Sequence, residues 1–484
     1  MLKIKIAETK TAKIKLSSAL AEAVAAVLKK KHNIDCNNPY DGFTAEQLEK
    51  ITSIELKNPS AGACKGLEFL PNLMGLHINN GYYQTHAIGE LLSIDNDDLQ
   101  TIYKCKKLTE LTIRNQPKIT QIFLDELPNL KDVDICENES LGAIEGVDEL
   151  HHLNMLTCYG NERLCKFTNL HEAIKKNVPF LKLDVNLFPK AINYDPKTGK
   201  YDPEVIEKLN SHFDRAAGYG KDQWMQTFTR RIDPKNPWRE KLIVINHVQM
   251  LNLHNKACQI LDECVPPDAS EFETIVAIER YLAENVTYDY ESIENAHTNP
   301  KGAPYGANGA HNCIMLGACV CQGYSRGEQY LLSLRGIASS AISCVAQKDK
   351  LHISDRKKQW TNTREIADAR DTYADHSILR IDGYYQLYSD PCWNAAHWQH
   401  GDKSMPYSLL SKGEISETHM LLRFDQHVEN FSLPHGIKER LTKSIQTNEL
   451  FVKTRSAEVV AARAQLGQQG PALVRGMIPT GRKL

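Results

Sequence analysis

The stretch Val320-Cys321-Gln322-Gly323-Tyr324-Ser325 opens an apolar run that ends at Leu334-Arg335-Gly336. Tyr324, Leu331 and Leu334 fall on one face at helical spacing, and a glycine just past the last apolar residue is typical of a helix C-terminus. The pattern predicts a helix that begins at Cys321. The unpaired N–H groups and the positive dipole end of a helix N-terminus stabilise a thiolate. Cys321 is therefore a candidate nucleophile, and the alternative is an ordinary buried thiol.

A predicted hairpin downstream carries the other two groups that a cysteine nucleophile needs. The segment from Asp375 to Pro391 has two strands rich in β-branched and aromatic residues around the turn Asp382-Gly383. His376 lies in the first strand and Asp390 ends the second. Cysteine, histidine and aspartate in this order supply a nucleophile, a base to take its proton and a carboxylate to orient the base.

The length of the hairpin loop decides whether His376 and Asp390 can meet. A strict two-residue turn would place them on opposite faces of the hairpin. A three-residue loop of Asp382, Gly383 and Tyr384 pairs Ile381 with Tyr385 and places His376 directly across from Asp390. We expect the longer loop, or a bulge between Tyr385 and Ser389, with a positive φ at Gly383 or a neighbour.

Four segments together resemble the transglutaminase-like cysteine enzymes in their bacterial form: Tyr281-Leu282-Ala283-Glu284-Asn285-Val286-Thr287-Tyr288-Asp289, Val320-Cys321-Gln322-Gly323-Tyr324-Ser325, the His376 hairpin, and Ser389-Asp390-Pro391-Cys392-Trp393-Asn394. The resemblance covers residues 270 to 425. It implies an α+β fold with a papain-like core, in which Cys321, His376 and Asp390 form the catalytic triad, and no cofactor is expected. This chain has Ile378 where the family usually has an aromatic residue, so acyl-donor recognition near the base is expected to differ.

An internal repeat precedes this core. The apolar triplet L-x-x-L-x-I recurs at Ile51-Ile54-Leu56, Leu73-Leu76-Ile78, Leu108-Leu111-Ile113, Leu130-Val133-Ile135 and Leu153-Leu156-Cys158. Successive starts are 22, 35, 22 and 23 residues apart, which is typical of leucine-rich repeats if the long spacing holds an insertion between Gly81 and Leu99. Asn138 and Asn161 lie at the family's asparagine position. Such repeats stack into a solenoid with one open sheet face, and this face is expected to recruit a protein substrate or else only to support the core. Polar residues point to that face: Glu55, His77, Thr112, Asp134 and Thr157.

The sequence predicts a five-part organisation. An N-terminal strand and helix (1–47) is followed by the leucine-rich repeats (48–170), a mainly helical connector (171–268), the transglutaminase-like domain (269–453) and a basic tail (454–484) whose end is expected to be mobile. The formal net charge of −2 gives no overall attraction to nucleic acid, and no apolar window is long enough to span a membrane. The 13 cysteines follow no disulfide framework, and no cleavage site follows the N-terminal apolar run. These features predict a cytoplasmic, reducing setting, or secretion into a host cell without a cleaved signal peptide.

The reaction itself stays open at this level. A thioester acyl-enzyme that passes to water gives a peptidase or a glutamine deamidase, and one that passes to an amine gives a transglutaminase. Two alternatives remain: a peptide N-glycanase-like amidase, which shares Asp390-Pro391-Cys392, and a non-catalytic protein-binding module. Zinc is set aside, because His311, Cys313, Cys319 and Cys321 lack paired C-x-x-C spacing and a metal-bound Cys321 could not attack a carbonyl.

Overall fold

The computed structural model describes residues 13–80, 92–138, 140–161, 163–176, 180–215, 223–229, 241–290, 307–346, 374–382 and 386–421. The chain divides into two compact units. Met1–Met225 with Val244–Met250 is called the repeat unit here, and Gln226–Ile243 with Leu251–Leu484 the hairpin unit.

A parallel sheet runs through the repeat unit and confirms the predicted leucine-rich repeats. Each triplet gives its last two apolar residues to a strand, and these residues are buried while the side chains between them face the other way. Equivalent residues of successive repeats are paired in register, for example Leu56 with Ile78 and Ile78 with Ile113. The strands are Ser53–Lys57, Gly75–Asn79, Glu110–Arg114, Asp132–Cys136 and Met155–Cys158.

The sheet continues past the predicted end of the repeats at residue 170. Phe180–Asp184 forms a further parallel strand beside Met155–Cys158, and the first three residues of Gln223–Thr229 pair with it in turn. The predicted connector (171–268) therefore contains strands, including Lys241–Ile245, as well as helices. The sequence reasoning did not predict these strands, the first of which forms because Leu181 and Leu183 alternate and are fully buried as in the earlier repeats. The helices of this segment are Leu170–Lys176, Phe188–Ala191, Pro203–Arg215 and His247–Cys264.

Buried amides join the repeats at the end of the sheet strands. The side-chain oxygen of Asn161 accepts a hydrogen bond from the backbone N–H of Asn138 (3.0 Å), and that of Asn138 accepts one from the N–H of Gln116 (2.9 Å). Each asparagine also donates to a carbonyl of the preceding repeat, Ile113 for Asn138 (3.0 Å) and Ile135 for Asn161 (2.8 Å). The two asparagines thus satisfy turn backbone groups that the interior would otherwise leave unpaired.

The other described elements of the repeat unit close its edges. The predicted N-terminal helix is Ser18–His32, and Ser17 caps its start. The predicted first strand lies outside the described residues. Residues 81–91 of the predicted insertion also lie outside them. The remaining elements are helices Ala45–Glu49 and Asn96–Ile102 and a second parallel sheet of Gln121–Phe123, Ala143–Glu145 and Lys166–Phe167.

The hairpin unit has helices packed on an antiparallel sheet. Its strands, in spatial order, are Gln386–Ser389, Ala374–Asp382, Ser339–Ala346 and His419–Leu421. Helix Cys321–Leu334, called the Cys321 helix here, packs against the two central strands. The other elements are helices Glu271–Asn285, Pro391–Gln399 and Lys412–Ile415, the π-helical turn Asn312–Leu316, and a short parallel pair, Thr287–Tyr288 with Ala318–Cys319.

Helix Glu271–Asn285 begins with a capping box. Ser270 caps it, and the Ser270 and Glu273 side chains exchange hydrogen bonds with each other's backbone N–H groups. The C-terminal part of the predicted catalytic domain (422–453) and the tail (454–484) lie outside the described residues. No helix in the described part of the chain is long and apolar enough to cross a membrane.

Candidate active site

Cys321 is the first residue of its helix, as predicted. The helix runs from Cys321 to Leu334, Val320 precedes it in extended conformation, and Gly336 beyond its end has a φ of +74°. Three backbone N–H groups of a first helical turn have no acceptor within the helix. Cys321 is partly exposed, so a nucleophile here would be reachable and would lie in the positive field of the helix end.

Small residues let the Cys321 helix approach its neighbours closely. Gly323 and Gly327 lie one turn apart, and a Cβ added at either would collide with a cysteine side chain, Cys319 for Gly323 and Cys313 for Gly327. The Cys319 and Cys313 side chains are themselves hydrogen-bonded. These two cysteines belong to the group that was weighed as a zinc site and set aside, and they pack under the helix, where burial raises the pKa of the Cys319 thiol well above its ordinary value.

Two side-chain hydrogen bonds fix the position of the helix. Ser325 Oγ donates to the carbonyl of Ser377 (3.0 Å), which is the residue after His376, and Tyr324 Oη donates to the carbonyl of Val286 (2.6 Å). Both hydroxyl-bearing residues are fully buried. The Ser325 bond joins the helix of the nucleophile directly to the strand of the candidate base.

His376 and Asp390 meet, as the hairpin argument predicts. His376 Nε2 lies 2.8 Å from Asp390 Oδ2, and the exposed fraction of the two side chains is 8% and 0%. The Cys321 side chain also hydrogen-bonds to the His376 imidazole. Burial alone would lower the pKa of His376, but the charge and hydrogen bond of Asp390, with the Cys321 contact, raise it from 6.5 to about 10. His376 is therefore an imidazolium at neutral pH.

The register of the hairpin differs from the predicted one. Asp382 pairs with Gln386 and Ile381 with Leu387, so the loop consists of residues 383–385 rather than Asp382, Gly383 and Tyr384. The last pair in this register is Leu379 with Ser389. If the register is extended by one residue, Asp390 lies across from Ile378, which is two residues from His376, so His376 and Asp390 are diagonal neighbours. Our expectation that His376 lies directly opposite Asp390 is wrong by two residues, but a shift of two keeps both side chains on the same face. The predicted positive φ concerns Gly383, which lies outside the described residues.

Asp390 is held by hydrogen bonds on both carboxylate oxygens. Oδ1 accepts from the backbone N–H of Trp393 (3.0 Å), which makes Asp390 the N-cap of helix Pro391–Gln399. Oδ2 accepts from His376 and also from His419 Nε2 (3.1 Å). Burial would raise the pKa of Asp390, but the charge of His376 and the hydrogen bonds from the two histidines hold it far below its usual range.

His419 is a site residue that sequence reasoning missed. It is fully buried and lies in strand His419–Leu421, beyond the motifs that carry the resemblance. Its ring centroid lies 5.6 Å from that of His376 and 4.7 Å from that of Trp393. The one available signal was a histidine directly before the apolar run Met420-Leu421-Leu422, because an imidazole that enters the core beside such a run needs a hydrogen-bond partner there.

Two further carboxyl groups lie buried behind the site. Glu279 accepts hydrogen bonds from Asn394 Nδ2 (3.2 Å) and Ser408 Oγ, and burial raises its pKa from 4.5 to about 7. Glu328, on the Cys321 helix, has a pKa raised well above its ordinary value by burial and by the neighbouring Glu279. Both groups are thus held in or near the uncharged form beneath Asp390.

One set of side chains in the described part of the chain has the composition of a metal site. His376, Asp390 and Cys392 bring one ligand atom each to within 4.8 Å of one another. His376 and Asp390 are already hydrogen-bonded to each other, and burial raises the pKa of the Cys392 thiol well above its ordinary value. The arrangement is therefore better suited to proton transfer between His376 and a thiol than to metal binding.

Comparison with solved structures gives matches to internalins, which are bacterial leucine-rich repeat proteins. An internalin (inlF) of Listeria monocytogenes is 21% identical over 35% of this chain and 49% of its own length, with a TM-score of 0.24. Internalin C2 of the same organism is 18% identical over 34% of this chain and 83% of its own, with a TM-score of 0.22. InlP of Listeria monocytogenes is 14% identical over 37% of this chain and 65% of its own, with a TM-score of 0.14.

The chain spans about half the length of the first of these internalins. No family model matches the sequence. No curated protein matches it either. The leucine-rich repeats of this chain are shown by the parallel strands that the structure describes directly.

Proposed function

We propose that this protein is a cysteine-dependent enzyme that acts on amide bonds of a protein through Cys321, His376 and Asp390. One observation carries the proposal: Cys321, at a helix N-terminus, hydrogen-bonds to an imidazole that a buried carboxylate holds at 2.8 Å. If His376 served only to fill space in the core, a neutral imidazole without a carboxylate partner would be sufficient. An imidazolium kept between a carboxylate and a partly exposed thiol is what nucleophilic catalysis by cysteine requires.

The reaction follows from these positions. The Cys321 thiolate attacks the amide carbonyl, and a backbone N–H of the first helical turn stabilises the negative oxygen that forms. His376 gives its proton to the leaving nitrogen as the C–N bond breaks, which leaves a thioester on Cys321. Asp390 stabilises the imidazolium and fixes which ring nitrogen faces the thiol. Water or an amine then attacks the thioester, His376 takes the proton of that nucleophile, and the thiolate returns.

The surroundings of Cys321 support the transglutaminase-like resemblance as the family of this unit. Helix Glu271–Asn285, the Cys321 helix and the antiparallel sheet follow one another in the order that a papain-like α+β core would need. All 13 cysteines are free thiols, which fits a reducing compartment such as a cytoplasm. A protein substrate is favoured because the repeat unit presents an open sheet face with polar side chains, and leucine-rich repeats commonly bind proteins through that face.

The reactivity of the thiol tests the proposal without a known substrate. Limiting iodoacetamide at about pH 6.5 should alkylate Cys321 before the other cysteines, because the imidazolium and the helix end favour its thiolate. Peptide mapping measures the order. Equal labelling of Cys319, which is buried, would count against the assignment.

The reaction type is read from intact masses. The protein is incubated with lysine-blocked casein, with and without a fluorescent primary amine, and Cys321→Ala is the matched control. A gain of about one mass unit means deamidation, amine incorporation means transamidation, and fragments mean proteolysis. If Cys321→Ala acts as fast as the wild type, Cys321 is not the nucleophile. If Cys321 is alkylated no faster than buried thiols and casein is unchanged, the rival reading as a non-catalytic binding module is favoured.

A further inference from the structure

We propose that His419 is a positioning residue, the fourth member of a chain Cys321–His376–Asp390–His419. This inference rests on the proposed function, and its test below is chosen to give a result even if no substrate is turned over. The observation behind it is that one carboxylate oxygen, Asp390 Oδ2, accepts from two imidazoles at 2.8 and 3.1 Å.

The protonation of His419 follows from its neighbours. A carboxylate can only accept, so His419 Nε2 must carry a proton toward Asp390. Burial lowers the pKa of His419 below its ordinary value, so the ring is neutral at neutral pH and Nδ1 has no proton. The Thr418 hydroxyl lies 2.9 Å from Nδ1. With the proton on Nε2, this hydroxyl is the donor and Nδ1 the acceptor.

The neighbourhood of His419 leaves its ring little freedom. The ring is enclosed by the rings of His376, Trp393 and Tyr407, with centroids at 5.6, 4.7 and 6.1 Å. The charged or titratable groups that face it are Asp390, His376 and Tyr407. The carbonyl of Ile415 is the competing acceptor near the ring, and it would bind Nδ1 only if the proton moved to that nitrogen.

His419 helps to fix the plane of the Asp390 carboxylate, which binds His376. The Trp393 N–H holds Oδ1 of Asp390 and His419 holds Oδ2, so the carboxylate is kept from rotating away from His376. A neutral donor does this without adding a second positive charge, which would compete with the His376 imidazolium for the same carboxylate. His419 touches no reacting atom and acts only through Asp390.

The test compares variants that keep or remove the donor. His419→Gln keeps an N–H that can reach Asp390, and His419→Leu fills the space without one. Thr418→Val removes the hydroxyl that donates to Nδ1, so that Nδ1–H can turn to the Ile415 carbonyl and Nε2 loses its proton. His254→Gln alters another buried histidine, on helix His247–Cys264, and is the matched control for a general loss of packing.

The first readout is the low-field NMR signal of the His376 Nε2–H in histidine-labelled full-length protein, which needs no substrate. We expect the signal in the wild type, His419→Gln and His254→Gln, and its loss or upfield shift in His419→Leu and Thr418→Val. The second readout is the rate of iodoacetamide alkylation of Cys321. We expect a fall of about tenfold in His419→Leu, which the loss of one neutral hydrogen bond can account for, and recovery in His419→Gln.

An unchanged signal and alkylation rate in both His419→Leu and Thr418→Val would overturn the proposal. If His419→Leu does not fold, the isosteric Thr418→Val decides. Equal losses in His419→Leu and His419→Gln would also refute it, because the donor would then be irrelevant. Absence of turnover with an intact low-field signal would defeat the proposed function and leave the position of His419 as described.

Discussion

The charge of Asp390 decides the protonation of His376, and Asp390→Asn removes that charge at nearly constant shape. Asparagine is as good an N-cap as aspartate, so the bond from the Trp393 N–H and the start of helix Pro391–Gln399 are kept. The carboxylate that raises the pKa of His376 from 6.5 to about 10 is lost. Burial, which lowers that pKa, remains and is opposed only by the weaker contact with Cys321, so the pKa of His376 should return to about 6.5.

The magnitude follows from the two pKa values. At about pH 8, a group with a pKa of about 10 is about 99% protonated, and one with a pKa of about 6.5 is about 3% protonated. The imidazolium population thus falls about 30-fold. The amide N–H₂ also faces the histidine Nε2, which forces the wrong tautomer, and the equivalent change in a serine protease triad costs about 10⁴-fold in kcat.

The assay is the alkylation rate of Cys321 between about pH 5 and pH 10. In the wild type the rate should vary little while His376 stays protonated, up to about pH 10, because the imidazolium beside the sulfur promotes its reaction throughout that range. In Asp390→Asn the rate should be low at neutral pH and should rise continuously with pH.

Stability provides a second readout with a definite sign. The folded-state pKa of His376 is raised, so its contribution to the free energy of unfolding is complete below about pH 6.5 and is lost as the pH rises toward 10. The folded-state pKa of Asp390 is depressed, so its contribution is present above its unfolded value and is lost in acid. Both contributions disappear in Asp390→Asn, which should flatten the pH dependence of the melting temperature.

The control is Asp402→Asn. Asp402 bonds His397 at 2.9 Å in the same unit, but both side chains are more than 40% exposed. This variant should leave the alkylation profile unchanged. The reasoning is refuted if Asp390→Asn keeps the flat profile, or if NMR shows His376 still protonated in that variant at about pH 8.

Three further predictions concern other parts of the chain. In thermal melts, Glu328→Gln should be more stable than the wild type by a margin that grows as the pH rises from about 5 to 9. The raised pKa of Glu328 makes its ionisation in the folded state costly, and glutamine has no proton to lose. A margin that stays constant with pH would contradict this. Asn138→Ala should cost about 1–3 kcal/mol and lower hydrogen-exchange protection in the adjoining repeats, because it leaves buried backbone groups unpaired, whereas Asn154→Ala, at an exposed position, should cost much less. Thr112→Arg on the open sheet face should slow action on a protein substrate but not on a small amide, and equal slowing of both would mean that the repeats do not recruit the substrate.

Sequence reasoning succeeded where one residue type is tied to one backbone geometry. The apolar triplets can bury two side chains per repeat only as parallel strands, and each lies in one. The N-terminal position of Cys321 followed from the apolar face of its helix and from Gly336. That His376 and Asp390 share a face of the hairpin followed from the odd number of residues in its loop.

The failures have equally specific causes. An odd number of loop residues places His376 and Asp390 on the same face of the hairpin but does not fix which residues pair. The predicted hairpin loop therefore began one residue too early. The last repeat was missed although Val178, Leu181 and Leu183 have the spacing of the earlier triplets, with a start 25 residues after Leu153. His419 has no local pattern, because its role depends on a strand brought beside Ser339–Ala346 by chain folding.

Asp390 both binds His376 and caps a helix. These two roles predict the order in which the site residues would be substituted if selection for the reaction were relaxed. In the proposed mechanism Cys321 and His376 serve only the reaction, and other residues could replace them without ending a helix or a strand. Position 390 also starts helix Pro391–Gln399 through the Trp393 N–H, so residues that cap helices well, such as aspartate, asparagine and serine, would be favoured there. A descendant without activity should therefore lose its thiol and its imidazole first and keep a capping residue at 390, as a mark of the enzyme it once was.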